Sequence, residues 1–299
     1  MERLPTELHE LILDSVATSH SKAIRSLSFA SHYFHHLALP YRFHTIRLDA
    51  AERVARLRLE LEALPEHRRR IYRVFVALRR SNLSALSQIL RILQLSSRTL
   101  RDLAVIDTAH LGATAASAFG AVLRTAAPFQ GLERLTLRGR HPALPSSDKH
   151  FPALRYLDTG GNTHPIGLPV PWSWLGSRVT VLRVVGLSAA LGFATELRNG
   201  LAAIQAQGEG IESFSIVVEL TRQPEVKLVG NFREKTMHRQ DAEMRRILTE
   251  IELVAKSARE RDAQAGRVHV DVQVVVGGDD SNAGRIEQDW LEGVDDVNK

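Results

Sequence analysis

The pattern of apolar and polar positions predicts a helix at the beginning of the chain. Leu8, Leu11, Ile12 and Val16 recur at intervals of three and four residues and therefore share one face of a helix. The dipeptide Leu4-Pro5 marks its start, because proline lacks only an N–H that has no helical partner in the first turn. A polar stretch over residues 18–21 ends this element.

Two further short helices are predicted before residue 41. One covers residues 22–29 and the other residues 31–39, and Pro40 ends the second because the residue before a proline avoids helical conformation. Three short helices in fewer than fifty residues bury little apolar surface by themselves. We therefore expect them to need a partner surface, in the same chain or on another protein.

After residue 42, a short motif of the form apolar-x-x-apolar-x-apolar predicts a series of strands. Helical stretches over residues 83–95, 109–126 and 189–206 separate several copies, and proline-rich connections over 138–151 and 163–174 separate others. A long helix over 233–261, with an apolar stripe expected to pack in the core, precedes a last strand over 268–276. The copies of the motif are Phe43/Ile46/Leu48, Ile71/Val74/Val76, Leu100/Leu103/Val105, Leu132/Leu135/Leu137, Leu154/Leu157/Thr159, Val179/Leu182/Val184 and Ile211/Phe214/Ile216.

The N-terminal segments LPTELHELIL and AIRSLSFASHYFHHLALPYRFHTIRL resemble the F-box family, in the divergent form common in fungal proteins. In that family the opening Leu-Pro and the helix faces that follow dock onto a Skp-type adaptor, which joins the protein to a cullin ubiquitin ligase. The resemblance implies the same partners for this chain. Carried over position by position, the residues implied in that contact, or in the small core behind it, are Leu4, Pro5, Leu8, Ile12, Leu27 and Phe34.

The succession of strands and helices resembles a degenerate form of the leucine-rich-repeat family. The segment LRYLDTGGN keeps the spacing of that family's repeat at Leu154, Leu157 and Asn162. The expected fold class is α/β: an F-box-like three-helix module over residues 1–48, then an irregular leucine-rich-repeat-like solenoid with a parallel sheet over 49–276. Residues 277–299 are expected to be a flexible acidic tail. Strand alternation suggests target-binding residues on the concave side. These are Arg134, Thr136, Arg155, Asp158, Arg183 and Ser215.

The charge of the chain is unevenly distributed. The formal net charge is +5, but the tail over residues 277–299 has seven acidic and two basic residues, so the remainder carries a net +10. Nine arginines between Arg53 and Arg80 either form an anion-binding face or line the solvated side of amphipathic helices. Only Tyr72 and Phe75 lie within this run, which therefore lacks the interleaved aromatic pattern of a base-stacking surface and does not favour nucleic acid as a partner.

The composition gives no support to catalysis or to a bound cofactor. The chain contains no cysteine, which excludes thiolate zinc sites, iron–sulfur clusters and a cysteine nucleophile. It also lacks the nucleophile-elbow, dinucleotide-binding, P-loop and H-E-x-x-H motifs. The four histidines between His32 and His44 are interpreted as surface residues and not as metal ligands. We therefore expect neither an enzyme nor a metal protein, and we assign no catalytic or metal-binding residue.

Two functions remain as hypotheses. The first is a substrate-recognition adaptor of a Skp/cullin/F-box ubiquitin ligase, which holds an unidentified target protein on the repeat surface. The second is a non-catalytic repeat protein that binds an acidic partner, with the N-terminal helices only as a cap. No apolar run has the length of a signal peptide or a membrane span, so we expect a cytoplasmic or nuclear protein without a membrane partner.

Overall fold

A computed structural model describes most of the chain. The described ranges are 5–19, 21–78, 84–107, 128–139, 149–162, 168–175, 178–207, 215–222, 232–262 and 269–276, with the single positions 117, 118, 120, 123, 141, 144, 165 and 290. Leu4 and most of the helix predicted over 109–126 lie outside the described residues.

Three short helices open the chain, as the spacing of apolar residues predicted. They are α1 (Thr6–Ser19), α2 (Ser21–Ala30) and α3 (His32–Ala38), followed by a 3₁₀ turn over Leu39–Tyr41. Ser31 caps α3, because its hydroxyl oxygen accepts a hydrogen bond from the N–H of Phe34 at 3.2 Å and satisfies a donor that the helix leaves unpaired.

The described strands form one parallel sheet in which each strand lies beside the one that precedes it in the chain. The mixed α/β class and the parallel sheet are therefore confirmed. The first strand already falls at Thr45–Leu48, so the sheet begins inside the range expected for the N-terminal module. The strands are β1 (Thr45–Leu48), β2 (Arg73–Leu78), β3 (Asp102–Asp107), β4 (Arg134–Arg138), β5 (Tyr156–Gly160), β6 (Val181–Leu187), β7 (Ser215–Arg222) and β8 (His269–Val276).

One hydrogen-bonding arrangement recurs just before the strands. The carbonyl oxygen of Tyr72 accepts from the N–H groups of Arg101 and Asp102, at 2.8 and 3.0 Å. The same pairing links each of the first six strand segments to its neighbour, so these segments enter the sheet in one repeated conformation. The other carbonyls that take part in this pairing between strand segments are those of His44, Arg101, Glu133 and Arg155.

The register predicted from the motif is correct for the first six copies. Val74 pairs with Leu103, Leu103 with Leu135 and Leu135 with Leu157, as expected. The seventh copy is wrong: Leu182 pairs with Val218 and not with Phe214, so β7 lies four residues further along the chain than predicted. Apolar residues alternate along β7 at Ile216, Val218 and Leu220, so a shift by an even number of residues leaves them on the same face, which explains the error.

Within the described ranges, four further helices cover one face of the sheet. They are α4 (Ala51–Ala63), α5 (Leu86–Ser96), α6 (Leu191–Gln207) and α7 (Phe232–Asp262). Their apolar residues form a continuous core with the strand residues that point the same way, such as Val74, Leu103 and Leu135. The stripe of α7 enters this core through Met244, Leu248 and Ile251, as predicted, whereas Val254 is exposed and Ala255 is buried instead.

The turns that follow β4 and β5 lie very close together. The N–H of Gly139 donates to the carbonyl oxygen of Gly160 at 2.7 Å, and both Gly139 and Gly161 have positive φ angles. A Cβ at Gly161 would lie 2.6 Å from the backbone nitrogen of Gly139. Glycine is therefore required at this position by conformation and by space.

Candidate functional site

The first helix carries an exposed apolar surface. The spacing of Leu8, Leu11 and Ile12 places them on one helical face. These residues are 43, 65 and 49% exposed. Among the residues of α1 whose burial is described, Leu13 is buried, and Val16 is partly buried against the same small core. The apolar face recognised in the sequence is therefore divided: Leu8, Leu11 and Ile12 are turned to solvent, and Val16 helps to hold the helix to the protein.

Contacts between α1 and α3 fix the orientation of this exposed face. The Tyr33 hydroxyl is hydrogen-bonded to Nδ1 of His9 at 2.8 Å, and the His9 ring packs edge-on against the rings of Tyr33 and Phe34, at 5.5 and 6.1 Å between centroids. Phe34 is half-buried at this junction. Its ring therefore supports α1 from the side and also reaches the surface.

A small core holds the three helices together. Leu13, Ile24, Ala38 and Tyr41 are buried in it, and Leu27 packs against it from the side. This cluster is separate from the main core of the sheet. Polar contacts join the two regions: Nη1 of Arg70 donates to the Tyr41 hydroxyl at 3.2 Å, and Arg42 pairs with Glu60 at 3.3 Å.

The structure therefore divides the residues expected at the adaptor contact into two groups. Pro5, Leu8 and Ile12 are exposed, whereas Leu27 and Phe34 are partly buried behind them. Sequence reasoning omitted Leu11, Phe29 and Tyr33, which are also exposed. Leu11 could have been found from its spacing relative to Leu8, but the exposure of Phe29 depends on how α2 packs.

The face of the sheet opposite the helices, which we call the second face, carries polar residues in its central strands. Thr136, Asp158 and Arg183 occupy matching positions on β4, β5 and β6, so the register places these three candidate target-binding residues side by side. Thr136 and Asp158 are buried, and Arg183 is half-buried. Of these three residues, Arg183 therefore exposes the most polar surface.

Two arginines approach Asp158. Nη2 of Arg138 lies 2.7 Å from Oδ2 of Asp158, and Nη1 of Arg183 lies 3.9 Å from the same oxygen. A Cβ at Gly160 would occupy the place of the Arg138 guanidinium, so the glycine leaves room for the closer pair. This close and largely buried pair holds the Arg138 side chain across the second face of β5.

The remaining candidates lie elsewhere on or beside the sheet. Arg134 begins β4, and its guanidinium lies over the Tyr156 ring at 4.9 Å from the centroid. Arg155 is exposed but precedes β5, where its backbone joins the repeated hydrogen-bond pairing. Ser215 begins β7 and pairs with His269 at one end of the sheet. Arg155 and Ser215 are therefore not brought to the central strands.

A second buried ion pair lies on β2 and β3. Nε of Arg73 and Oδ2 of Asp102 are 3.3 Å apart, and both side chains are about nine-tenths buried. Burial raises the pKa of the Asp102 carboxyl above its ordinary value, and the neighbouring Arg73 and Arg134 offset only part of that effect. Burial likewise lowers the pKa of Arg73.

Three of the nine arginines in the arginine-rich run lie on α4, and acidic partners are available to them. Arg53 pairs with Asp49, Arg56 with Glu60 and Arg58 with Glu62, each pair four residues apart. Such spacing places both members on one side of a helix. For these three arginines the structure favours the solvated side of an amphipathic helix over a dedicated anion-binding face, whereas Arg79 and Arg80 lie outside the described residues.

The histidines do not form one cluster. His32, His35 and His36 are exposed on α3, as expected, but His44 is buried and stacks on Tyr72 at 4.5 Å between ring centroids, which corrects the expectation of a surface residue. In the ranges that the structure describes, no group of three or more acidic, histidine or cysteine side chains has the arrangement of a metal site. No helix in those ranges has both the length and the apolar composition to cross a bilayer.

Comparison of the chain with protein-family models, with curated proteins and with solved structures finds no match.

Proposed function

We propose that the protein is the substrate-recognition adaptor of a Skp/cullin/F-box ubiquitin ligase. The exposure of Leu8, Leu11 and Ile12 on α1 carries this proposal, because three large apolar side chains on one helical face form a ready contact for another protein. The same segment resembles the F-box, in which these positions dock onto a Skp-type adaptor.

The packing of the N-terminal helices argues against a simple capping role. A cap buries its apolar face against the first repeat, whereas here the small core is separate from the core of the sheet and the apolar face of α1 is turned to solvent. A helix that lays its apolar face into the groove of a partner is a recurring mode of recognition.

We further propose that residues 49–276, together with strand β1 before them, form a degenerate leucine-rich-repeat solenoid that selects the target protein. The sequential order of the strands and the five recurring backbone pairings support this interpretation. The chain then acts by proximity: the adaptor joins one end to the cullin ligase, and the sheet raises the effective concentration of the target beside it.

Binding to a purified Skp-type adaptor tests the proposal. We expect the full chain to bind in isothermal titration calorimetry and the Leu8→Asp/Ile12→Asp variant to bind at least roughly 100-fold more weakly, since central apolar anchors each contribute about 2 kcal/mol or more. The matched control is Leu59→Asp/Leu253→Asp, which adds the same charges at exposed leucines on α4 and α7 and should bind like the wild type.

Two results would contradict the proposal. One is the absence of any heat of binding with the full chain. The other is equal affinity of the wild type and the Leu8→Asp/Ile12→Asp variant, with circular dichroism showing that both are folded. The second result would mean that the α1 face is not part of the contact.

A further inference from the structure

Trp290 is buried on the second face of the sheet, although it belongs to the acidic C-terminal segment. Its side chain is in a cluster with Phe75, Ala77, Ala104 and Ile106, which are the second-face residues of β2 and β3. The Trp290 and Phe75 rings are 5.5 Å apart between centroids, and Trp290 is only 6% exposed. The expectation of a flexible tail therefore does not describe Trp290.

The polar contacts of Trp290 match the chemistry of a tryptophan residue. Its indole Nε1–H donates to Oδ1 of Asp102 at 2.9 Å, and its backbone carbonyl oxygen accepts from Nη2 of Arg73. The Arg73 guanidinium also lies over the indole ring, 4.2 Å from the centroid. Phenylalanine would leave the Asp102 oxygen without this donor, so the site is built for an indole.

The parts of this site belong to the sheet and not to the tail. Arg73, Phe75 and Ala77 alternate on β2, and Asp102, Ala104 and Ile106 hold the matching positions on β3. The pairing of β2 with β3 fixes the relative positions of these six residues. Trp290, which lies 188 positions after Asp102 in the sequence, packs against them. We call these six strand residues the indole site. A tryptophan in any other segment would meet the same surface.

Charge indicates which segments fit. Asp289 and Glu292 flank Trp290 in the sequence, and residues 277–299 carry a net −5 against the net +10 of the remainder. Arg134 lies beside Asp102 in the sheet register and adds positive potential next to the indole site. An acidic sequence around a tryptophan is therefore attracted to this face.

We propose that the indole site binds a tryptophan flanked by acidic residues in a partner protein, and that Trp290 occupies the site as an intramolecular competitor. A tethered segment has an effective concentration in the millimolar range, so a partner must displace it. That the partner is the ligase target rests on the proposed function, whereas binding of the indole does not.

The test uses a fluorescein-labelled peptide with the sequence of residues 286–296, IEQDWLEGVDD, added to the full chain. We expect fluorescence anisotropy to show binding to the Trp290→Ala variant, at least roughly tenfold tighter than to the wild type, whose site is filled. The control peptide, with alanine in place of its tryptophan, has the same charge and should bind neither protein.

A second variant covers the case in which Trp290→Ala fails to fold. Trp290→Phe retains an apolar ring but loses the donor to Asp102, so the tethered residue competes less well and the peptide should bind more tightly than to the wild type. The Leu8→Asp/Ile12→Asp change, added to either variant, should leave the peptide affinity unchanged. This result separates the indole site from adaptor docking, which the assay does not contain.

Three outcomes would overturn the proposal. The first is that the peptide binds neither Trp290 variant, although circular dichroism shows a folded chain. The second is that the peptide and its alanine control bind equally, which would indicate charge alone. The third is a wild-type dimer that Trp290→Ala converts to a monomer in light scattering, which would make the tail of a second copy the occupant.

Discussion

The N-terminal helices and the parallel sheet differ in how far they bury their apolar residues. In the sheet, leucine and valine at the repeated motif positions are fully buried between the strands and the covering helices. In α1, three of the large apolar residues remain exposed, and a core of four residues holds the helices together. The sheet is stabilised by its own neighbours, whereas the helices leave an apolar surface that another protein can cover.

The difference follows from how each region is built. The first six strand segments repeat one hydrogen-bond arrangement from each segment to the next, and an apolar residue in an inner strand has a counterpart on both sides. The helices have no repeated neighbour, and a short helix has too little surface to bury all of its apolar residues. The exposure of apolar side chains is therefore the feature that distinguishes α1 from the core of the sheet.

Shortening a buried side chain in the sheet should have the largest effect on the free energy of unfolding, and it tests this comparison directly. Leu135→Ala removes a buried side chain that lies between Leu103 and Leu157, so we expect a loss of about 2–5 kcal/mol in the free energy of unfolding. The matched change Leu11→Ala in α1 should stay within about 0.5 kcal/mol, because its side chain is mostly in water. Urea unfolding monitored by circular dichroism measures both, and equal losses would break the comparison.

A smaller effect is expected at the turn after β5. Gly161→Ala places a methyl group against the backbone of Gly139 at a positive φ angle, so it should destabilise the protein by about 1–3 kcal/mol. In the control, Gly131→Ala, the added Cβ meets backbone oxygens at 3.5 Å, an ordinary contact. Differential scanning calorimetry should show a clear fall in Tm for Gly161→Ala alone. The same Tm for both variants would show that the turns of the sheet are as adaptable as the N-terminal helices.

The smallest effect is a change of stability with pH at the indole site. Since burial raises the pKa of Asp102 in the folded state, its contribution to stability is greatest below the ordinary aspartate pKa of about 4 and declines as pH rises through the folded value. The stability of the wild type relative to Asp102→Asn should therefore be more favourable at pH 4 than at pH 7. Urea unfolding at the two values tests this, with Glu66→Gln at an exposed acid as the control.

The opposite trend at Asp102 would mean that the ion pair with Arg73 outweighs burial. In that case the second face of β2 and β3 would be held by charge in the same way as the exposed pairs on α4, and the distinction between the buried sheet and the solvated helices would not extend to its polar residues.

The sequence by itself determined most of the described elements and of their register, although it did not predict α4. Six copies of one motif align as predicted, because in a strand the side chains alternate and a buried face requires apolar residues at every second position. The same local pattern identified the helices near the N-terminus and the apolar stripe of α7.

The tertiary structure alone decided which faces are covered. The apolar spacing in α1 did not reveal that Leu13 would be buried and Leu8 exposed, because that choice depends on how α2 and α3 pack. The register of β7 was ambiguous because apolar residues alternate along it, and only its pairing with β6 fixes the position. Nor could any local signal place Trp290 against Asp102, since a contact across 188 positions forms only when the sheet has assembled the surface that fits it.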